Sequence, residues 1–204
     1  MRVPEKSRIA GAVVCFLVVG VASCATNQLP AHDGKPIIDF NGDSVTFQST
    51  ADINAHFGTA YAVGINATTG ITAIDQWPAI AKQAKDDPAI EVINLGTNDA
   101  HDAARGSGET VDQANAALDT YNAEFPHSCV VFVTIDTHNP TWGPIFAAAI
   151  NEHLRATFPH IADWDAAYSP RDFDRTDTPH PNETGRQALL ALEDAAIKGC
   201  TPAS

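Results

Sequence analysis

The apolar positions of the chain fall into short runs separated by longer segments of mixed polarity. The runs predict five β-strands, at Ile37–Phe40, Tyr61–Ile65, Glu91–Leu95, Cys129–Ile135 and Ile161–Trp164. The segments between and after them predict helices, at about Thr50–Phe57, Ile74–Lys85, Thr110–Glu124, Gly143–Phe158 and Glu183–Lys198. Strands that alternate with helices are typical of βαβ units around a parallel sheet. The sequence therefore predicts an α/β domain.

An apolar stretch of a different kind lies near the N-terminus. Residues Ile9–Ala22 are 14 uninterrupted apolar or small residues, preceded by the cations Arg2, Lys6 and Arg8. At about 1.5 Å per helical residue, this stretch is too short to span a hydrocarbon core of about 30 Å. A basic start followed by a short apolar segment predicts a secretory signal peptide over residues 1–23.

The end of that stretch, Val21-Ala22-Ser23-Cys24, resembles a bacterial lipobox. The resemblance implies that the chain is cleaved before Cys24 and carries a lipid on that cysteine. Ordinary cleavage near the same point, which gives a secreted protein, is the alternative. Residues 24–36 contain two prolines, a glycine and polar residues, and are predicted to tether a domain formed by residues 37–204. The protein is thus expected in the cell envelope, with membrane contact only through the lipid.

Composition and charge restrict the class of protein further. The chain has 204 residues, of which 44% are hydrophobic and 18% charged, as expected for one globular domain and not for a coiled coil or a disordered chain. Twelve Lys and Arg face 25 Asp and Glu, for a formal net charge of −13. Because phosphate binding needs a basic surface, nucleic acid is not expected as a partner. The sequence does not predict the oligomeric state.

The four cysteines acquire separate roles under the lipoprotein interpretation. Cys15 leaves with the signal peptide and Cys24 carries the lipid, so Cys129 and Cys200 remain. In an oxidising envelope compartment, two remaining cysteines favour a disulfide. This bridge would join the start of a predicted strand to the end of the last helix. Two independent buried thiols are the alternative.

Polar residues follow three of the predicted strands and precede the last helix. These segments are Asn41-Gly42-Asp43-Ser44, Asn66-Ala67-Thr68-Thr69-Gly70, Gly96-Thr97-Asn98-Asp99 and Asp177-Thr178-Pro179-His180. Since functional residues of open α/β sheets gather at the carboxyl ends of the strands, these side chains are expected at one edge. The convergence predicts an active site there.

The residue types at this edge suit nucleophilic catalysis. A serine hydroxyl becomes a nucleophile when a base removes its proton, and histidine is the base suited to neutral pH. Ser44 and His180 supply this pair, and Asp177 is placed to orient the ring of His180. The backbone N–H groups of Ser44 and Gly70, with the side-chain amide of Asn98, are candidate donors to the oxyanion that forms on an ester carbonyl.

The four segments resemble the motif blocks of the SGNH hydrolases, also called GDSL esterases and lipases. The blocks occur in the family's order as GDSV, TTG, GTND and DTPH, with Val45 where the family name has leucine. The resemblance implies a flavodoxin-like three-layer α/β/α sandwich with a five-stranded parallel sheet. It also implies a catalytic triad of Ser44, His180 and Asp177, and an oxyanion hole of Ser44, Gly70 and Asn98. Gly64 is the alternative to Gly70.

Several alternatives stay open at this point. The expected activity is hydrolysis of small-molecule, lipid or glycan esters. The other candidates are an acyltransferase or deacetylase acting on envelope glycans or lipids, and a non-catalytic lipoprotein that binds such molecules. No HExxH or CxxC spacing and no phosphate-binding glycine motif occurs, so neither a metal nor another cofactor is expected. His101 and His138 are interpreted as solvated loop histidines, with a pocket-lining role as the alternative.

Overall fold

The structure, a computed structural model, describes residues 12–18, 21–31, 33–174 and 178–200, with the backbone alone for residues 12–18 and 21–23. Its strands are β1 Ala12–Val18, β2 Val21–Gln28, β3 Ile37–Gly42, β4 Ala62–Thr68, β5 Ile90–Asn94, β6 Cys129–Val133 and β7 Ile161–Ala162. Its helices are α1 Ser44–Phe57, α2 Ala73–Gln83, α3 Thr97–Ala104, α4 Val111–Glu124, α5 Pro144–Thr157 and α6 Glu183–Lys198. Two short 3₁₀ helices cover Ala84–Asp86 and Pro170–Asp172.

The strands form one sheet in the order β1-β2-β4-β3-β5-β6-β7. Strands β3 to β7 are parallel, and they are the five strands that the sequence predicts. Taken alone, these five strands have the flavodoxin-like order 2-1-3-4-5. The chain order reverses between β3 and β5, so the loops after these two strands diverge and leave a crevice. This crevice is where ligands bind in folds of this class.

Helices cover both faces of the sheet and give the predicted three-layer α/β/α sandwich. Helices α1 and α6 pack on one face through residues such as Ile53 and Leu189. Helices α2, α4 and α5 pack on the other face, where Ile80, Leu118 and Ile150 are fully buried. None of the described helices is both long enough and apolar enough to cross a membrane.

Two helical segments were not expected from the sequence pattern. Helix α1 begins at Ser44, six residues before the predicted start, because the Asp43 carboxylate caps it by accepting a hydrogen bond from the Val45 N–H at 2.9 Å. Helix α3 lies in a segment whose Asn and Asp residues resemble a loop. It is stabilised by packing against α5 and by the Asp99 carboxylate, which accepts from the Ala73 N–H. Both helices begin at the functional edge.

The N-terminal region differs from the sequence expectation. Strands β1 and β2 form an antiparallel hairpin, and Ala25–Gln28 pair with Ile65–Thr68 of β4. The predicted tether is therefore a strand over its first five residues. The physical reason is that β4 would otherwise expose an unpaired edge, whose N–H and C=O groups the polar segment satisfies. The signal-peptide boundary itself stays a prediction.

The cysteines whose side chains the structure describes, Cys24, Cys129 and Cys200, lie in disulfides. Cys129 and Cys200 are bonded, with Cα atoms 5.9 Å apart, so the predicted bridge between the start of β6 and the end of α6 is confirmed. Cys24 lies opposite Cys15 in the β1–β2 ladder and is also disulfide-bonded. The lipid predicted on Cys24 requires a reduced sulfur in a chain cleaved before this residue, and lipidation stays a prediction.

Candidate active site

Ser44 lies at the point where β3 passes into α1. β3 ends at Gly42, Asp43 is the N-cap, and Ser44 is the first residue of the helix. The turn is tight: a Cβ on Gly42 would lie 2.0 Å from Oγ1 of Thr46. The strand and the capped helix thus hold the buried Ser44 side chain on a fixed backbone at the carboxyl edge of the sheet.

His180 meets Ser44 across 136 residues of sequence. Its Nε2 atom lies 2.8 Å from the Ser44 Oγ atom, within hydrogen-bond distance. The ring is half-buried, and burial lowers the pKa of His180 below its ordinary value of 6.5. The imidazole is therefore neutral at pH 7 and can accept the hydroxyl proton of Ser44.

The segment before α6 fixes the position of His180. Asn182 caps α6 by accepting from the Gly185 N–H at 3.0 Å, and its own side-chain amide donates to the Arg171 carbonyl at 2.9 Å. The Asn182 N–H donates to the Asp172 carbonyl at 2.7 Å. His180 therefore lies between a capped helix and the 3₁₀ helix 170–172, on a loop bonded at both ends.

The other ring nitrogen of His180 faces a hydroxyl group. Oγ1 of Thr178 lies 2.9 Å from Nδ1 and also accepts from the His180 N–H at 3.2 Å. This contact was not predicted. A signal for it exists in the sequence, since a threonine hydroxyl can accept from the backbone N–H two residues further along the chain. Asp177, the predicted third member of the triad, lies outside the described residues.

Asn98 approaches the same site from the neighbouring strand. It follows β5 at the start of α3, after Gly96, whose φ of +114° is left-handed. Its Nδ2 donates to the Ile71 carbonyl at 2.9 Å and to Oδ2 of Asp43 at 3.3 Å. Asn98 is thereby connected to the residue before Ser44. Burial is the main cause that raises the pKa of Asp43 to about 7.

The two glycine candidates for the oxyanion hole lie in different environments. Gly64 lies within β4, opposite Asp39 of β3, and a Cβ there would come within 1.9 Å of the Asp39 carboxylate. Gly64 is thus a packing glycine inside the sheet. Gly70 lies on the loop after β4, next to Ile71 whose carbonyl contacts Asn98, and its φ of +77° is left-handed. Of the two, Gly70 has the position that the oxyanion assignment needs.

A small cavity of about 10 Å³ opens beside the predicted nucleophile and base. Val45 and Pro179, the chain neighbours of Ser44 and His180, line it together with Thr97, Ile135, Asp136 and Trp164 among others. A larger groove of about 350 Å³ lies between α2 and α4, but none of the predicted site residues lines it. The cavity next to Ser44 has room for about one water-sized group.

Two groups of described residues each bring three potential metal ligands together. Cys129 and Cys200 lie near His160, but their sulfur atoms are bonded to each other. Asp136 and Asp165 lie near His138, yet two Asp165 oxygens already accept from Thr137 and pair with Arg155. Protein partners thus account for both arrangements, and neither is assigned as a metal site.

Comparison with known proteins extends the resemblance of the motifs to the whole fold. No known family profile and no curated protein sequence matches the chain. Solved structures do match, among them a lipase/acylhydrolase from Enterococcus faecalis, at 23% identity and TM-score 0.66, covering 83% of this chain and 99% of that one. A GDSL-like lipase from Bacteroides thetaiotaomicron matches at 18% identity and TM-score 0.65, over 84% of this chain and 93% of that one. An acetyl xylan esterase from Geobacillus stearothermophilus matches at 15% identity and TM-score 0.60, over 83% of this chain and 97% of that one. The chain therefore has the fold of the GDSL-type hydrolases.

Proposed function

We propose that this chain is a serine hydrolase of the SGNH type that cleaves carboxylic esters through an acyl-enzyme. The observation that carries the proposal is the 2.8 Å contact between His180 Nε2 and Ser44 Oγ, at the crevice between β3 and β5. The fold supports it, because solved structures described as lipases, acylhydrolases and esterases share this architecture.

The proposed reaction has two halves. Ser44 Oγ attacks the ester carbonyl carbon while His180 Nε2 takes the hydroxyl proton. The C–O bond to the alcohol then breaks, and the alcohol leaves with that proton, which gives acyl-Ser44. A water molecule, deprotonated by His180, attacks the acyl-enzyme and releases the carboxylic acid and free Ser44. Asp177 is the proposed carboxylate partner of Nδ1 during the reaction, in place of the Thr178 hydroxyl that lies 2.9 Å from Nδ1 in the structure.

The proposed oxyanion donors come from the segments that follow three strands. The Ser44 N–H belongs to the first residue of α1 after β3, the Gly70 N–H to the loop after β4, and the Asn98 amide to the first turn of α3 after β5. Donors on such rigid supports need little rearrangement as charge develops on the carbonyl oxygen. Asn98 must exchange one of its two present acceptors for the oxyanion, and the 3.3 Å contact to Asp43 is the longer of these.

Covalent labelling of Ser44 by a fluorophosphonate probe tests the mechanism, because only an activated serine reacts. We expect labelling of wild type and its loss in Ser44→Ala, together with a fall of at least about 10⁴-fold in hydrolysis of 4-nitrophenyl acetate. Ser49→Ala is the matched control, since Ser49 is a buried serine of the same helix whose hydroxyl donates to the Val45 carbonyl. Full activity of Ser44→Ala would overturn the proposal, and an unlabelled, inactive wild type would favour the non-catalytic binding protein.

The size of the cavity supports a short acyl group. The cavity of about 10 Å³ is lined by Val45 and Pro179, which adjoin Ser44 and His180 in the chain, and it has room for about one methyl-sized group, as in an acetyl ester. We therefore propose acetyl esters as substrates, which keeps the glycan deacetylase as a specific form of the function. A series of 4-nitrophenyl esters should show kcat/KM falling from acetate to octanoate. Ester products formed with an added sugar alcohol would instead identify an acyltransferase.

We also propose that the protein is exported and anchored through Cys24. The lipobox-like segment before Cys24 supports this proposal. Mass spectrometry of the N-terminal peptide should find a lipid on Cys24 of the expressed full chain, and Cys24→Ala should release the protein from the membrane fraction. Retention of the variant in that fraction would contradict the anchor.

A further inference from the structure

An imidazole–carboxylate pair lies near the cavity that Val45 and Pro179 line. Nδ1 of His138 is 3.1 Å from Oδ1 of Asp136 and 3.8 Å from Oδ1 of Asp165. The His138 N–H donates to the same Asp136 oxygen at 2.8 Å. A carboxylate at Nδ1 assigns the ring proton to that nitrogen, so Nε2 of the neutral ring is left as an acceptor.

Aromatic stacking fixes the plane of the same ring. The His138 ring lies 3.9 Å from the ring of Tyr168 at an interplanar angle of 8°. Tyr168 stacks in turn on Phe173 at 5.6 Å, and Phe173 contacts Trp164 at 5.9 Å. Trp164 is a wall of the cavity beside Ser44. A continuous row of rings thus runs from the cavity wall to His138.

The carboxylates that hold His138 are themselves fixed. Oδ1 of Asp165 accepts from the Thr137 N–H at 3.0 Å, and Oδ2 pairs with Arg155 at 3.0 Å. Asp136 lines the cavity together with Val45 and Pro179, which are the chain neighbours of Ser44 and His180. The carboxylate of the pair is therefore close to the candidate active site. The His138 side chain is nevertheless 45% exposed. A rigidly held acceptor with an open face is suited to a ligand, because little conformational freedom is lost on binding.

We infer that His138 is a binding residue for the alcohol part of the ester, and that this alcohol is a sugar with free hydroxyl groups. The inference rests on the proposed ester hydrolase. A sugar hydroxyl would donate to Nε2 of His138, while the ring faces present apolar surface. A second ring pair at the same edge, His101 with Trp142 at 4.3 Å, begins one helical turn after Asn98. Flat rings combined with a few directional polar groups are typical of sites for such ligands.

Two substrates that differ only in their hydroxyl groups test the inference. One is a monoacetylated methyl glucoside with its other hydroxyls free, and the other has those hydroxyls O-methylated. We expect wild type to prefer the free form by about tenfold or more in kcat/KM, because a buried or fixed acceptor left without its donor lowers affinity. His138→Ala should lower kcat/KM for the free form about tenfold, chiefly through KM, and leave the methylated ester unchanged.

Two further variants complete the experiment. His138→Gln keeps an acceptor at this place and should recover part of the preference. His153→Ala is the matched control, because His153 pairs with Asp119 at 2.8 Å on the α4–α5 surface and should behave as wild type. Equal effects of His138→Ala on both esters, or no wild-type preference, would overturn the inference. If Ser44→Ala is inactive on both esters, either of these outcomes overturns only the sugar site. If Ser44→Ala remains active, the proposed function itself is overturned.

Discussion

Two buried carboxyl groups four residues apart, Asp39 within β3 and Asp43 just beyond it, have different surroundings. Burial is the main cause that raises the pKa of each to about 7. Asp43 accepts from the Val45 N–H and from the Asn98 amide. Neither oxygen of Asp39 has a hydrogen-bond partner. The same strand thus carries one carboxyl group whose partners belong to the candidate site and one without partners.

The neighbours of Asp39 explain why its carboxyl group is costly. It lies opposite Glu91 in the β3–β5 ladder, and burial together with the charge of Asp39 also raises the pKa of Glu91. One Glu91 oxygen accepts from Asn41, while the other has no partner. Three carboxyl oxygens of Asp39 and Glu91 therefore lack a donor among the described residues. The Asp43 carboxylate at the end of the sheet instead accepts from Val45 and Asn98, in the first turns of α1 and α3. The unpartnered carboxyl groups of the interior therefore cost stability, whereas the carboxyl group at the edge belongs to the candidate site.

In the comparison of Asp39 with Asp43, the largest expected effect on activity comes from removing the side chain of Asn98, which donates to Asp43. Asn98→Ala should lower kcat for 4-nitrophenyl acetate by about 10²–10³-fold, as expected when one oxyanion donor is lost. Asn122→Ala, an asparagine on the exposed surface of α4, is the control and should keep full activity. A fall of less than about tenfold would mean that Asn98 only supports the loop of Ile71 and Asp43.

A substitution of Asp39 should change the stability of the protein and leave its activity unchanged. Asp39→Asn should raise the free energy of unfolding at pH 8 by an amount on the order of 2 kcal/mol, since it removes a carboxylate that must be buried without partners. A carboxyl group whose pKa rises from 3.8 to about 7 on folding destabilises the protein increasingly from about pH 4 to pH 7. Below pH 4 both states hold the proton, so the gain should vanish there.

Urea unfolding of wild type and Asp39→Asn at pH 8 and pH 4 measures this difference. The variant should keep wild-type kcat, because Asp39 lies in the sheet interior and, among the described residues, no hydrogen bond or ion pair joins its side chain to Ser44, Asn98 or His180. A variant less stable than wild type at pH 8 would show that the Asp39 carboxylate has a stabilising partner. Gly64→Ala is unsuitable as a control, since its Cβ would collide with the Asp39 side chain.

A smaller effect on kcat is expected from a substitution at position 43 that still caps α1 but carries no charge. In Asp43→Asn the side-chain oxygen can still accept from the Val45 N–H, so the start of α1 is retained. The new amide would face the Asn98 amide, donor against donor, and displace it. We expect kcat to fall about tenfold with little change in thermal unfolding. An unchanged kcat would show that the Asp43–Asn98 contact does not position the oxyanion donor.

Local patterns predicted much of the fold because local signals and tertiary packing agree there. One example is the apolar run at 129–135, which contains β6. Another is the helix expected at about Thr110–Glu124, which corresponds to α4. The start of α1 could not be predicted from propensity, since Val45, Thr46 and Phe47 are weak helix formers. The Asp43 cap and burial against the sheet outweigh that tendency. The pairing of Ala25–Gln28 with β4 likewise depends on an edge that exists only in the folded chain.

The candidate site divides in the same way. Ser44, Asn98 and His180 follow from short motifs, because each motif combines a loop position with the residue that the chemistry needs. The Asp136–His138–Tyr168 arrangement does not, since three residues separated by up to 32 positions meet only through the packing of the loops after β6 and β7. The choice between Gly64 and Gly70 also required the register of β4. Contacts that no motif encodes, such as the stacking of His138 on Tyr168, were beyond sequence reasoning.

The smallest expected effect concerns His180, whose half-buried ring contacts Ser44 just beyond the end of β3. Burial raises the pKa of Asp39 and Asp43, and the same cause lowers that of His180, because desolvation disfavours whichever form is charged. Below its pKa His180 is protonated and cannot accept the Ser44 proton, so kcat/KM should rise with pH and level off, with a midpoint below 6.5. The profile is measured with 4-nitrophenyl acetate, while circular dichroism at each pH verifies that the fold persists. A midpoint above 6.5 would contradict the dominance of burial and indicate that a carboxylate, with Asp177 as the first candidate, stabilises the charged ring; Asp177→Asn should then shift the midpoint downward.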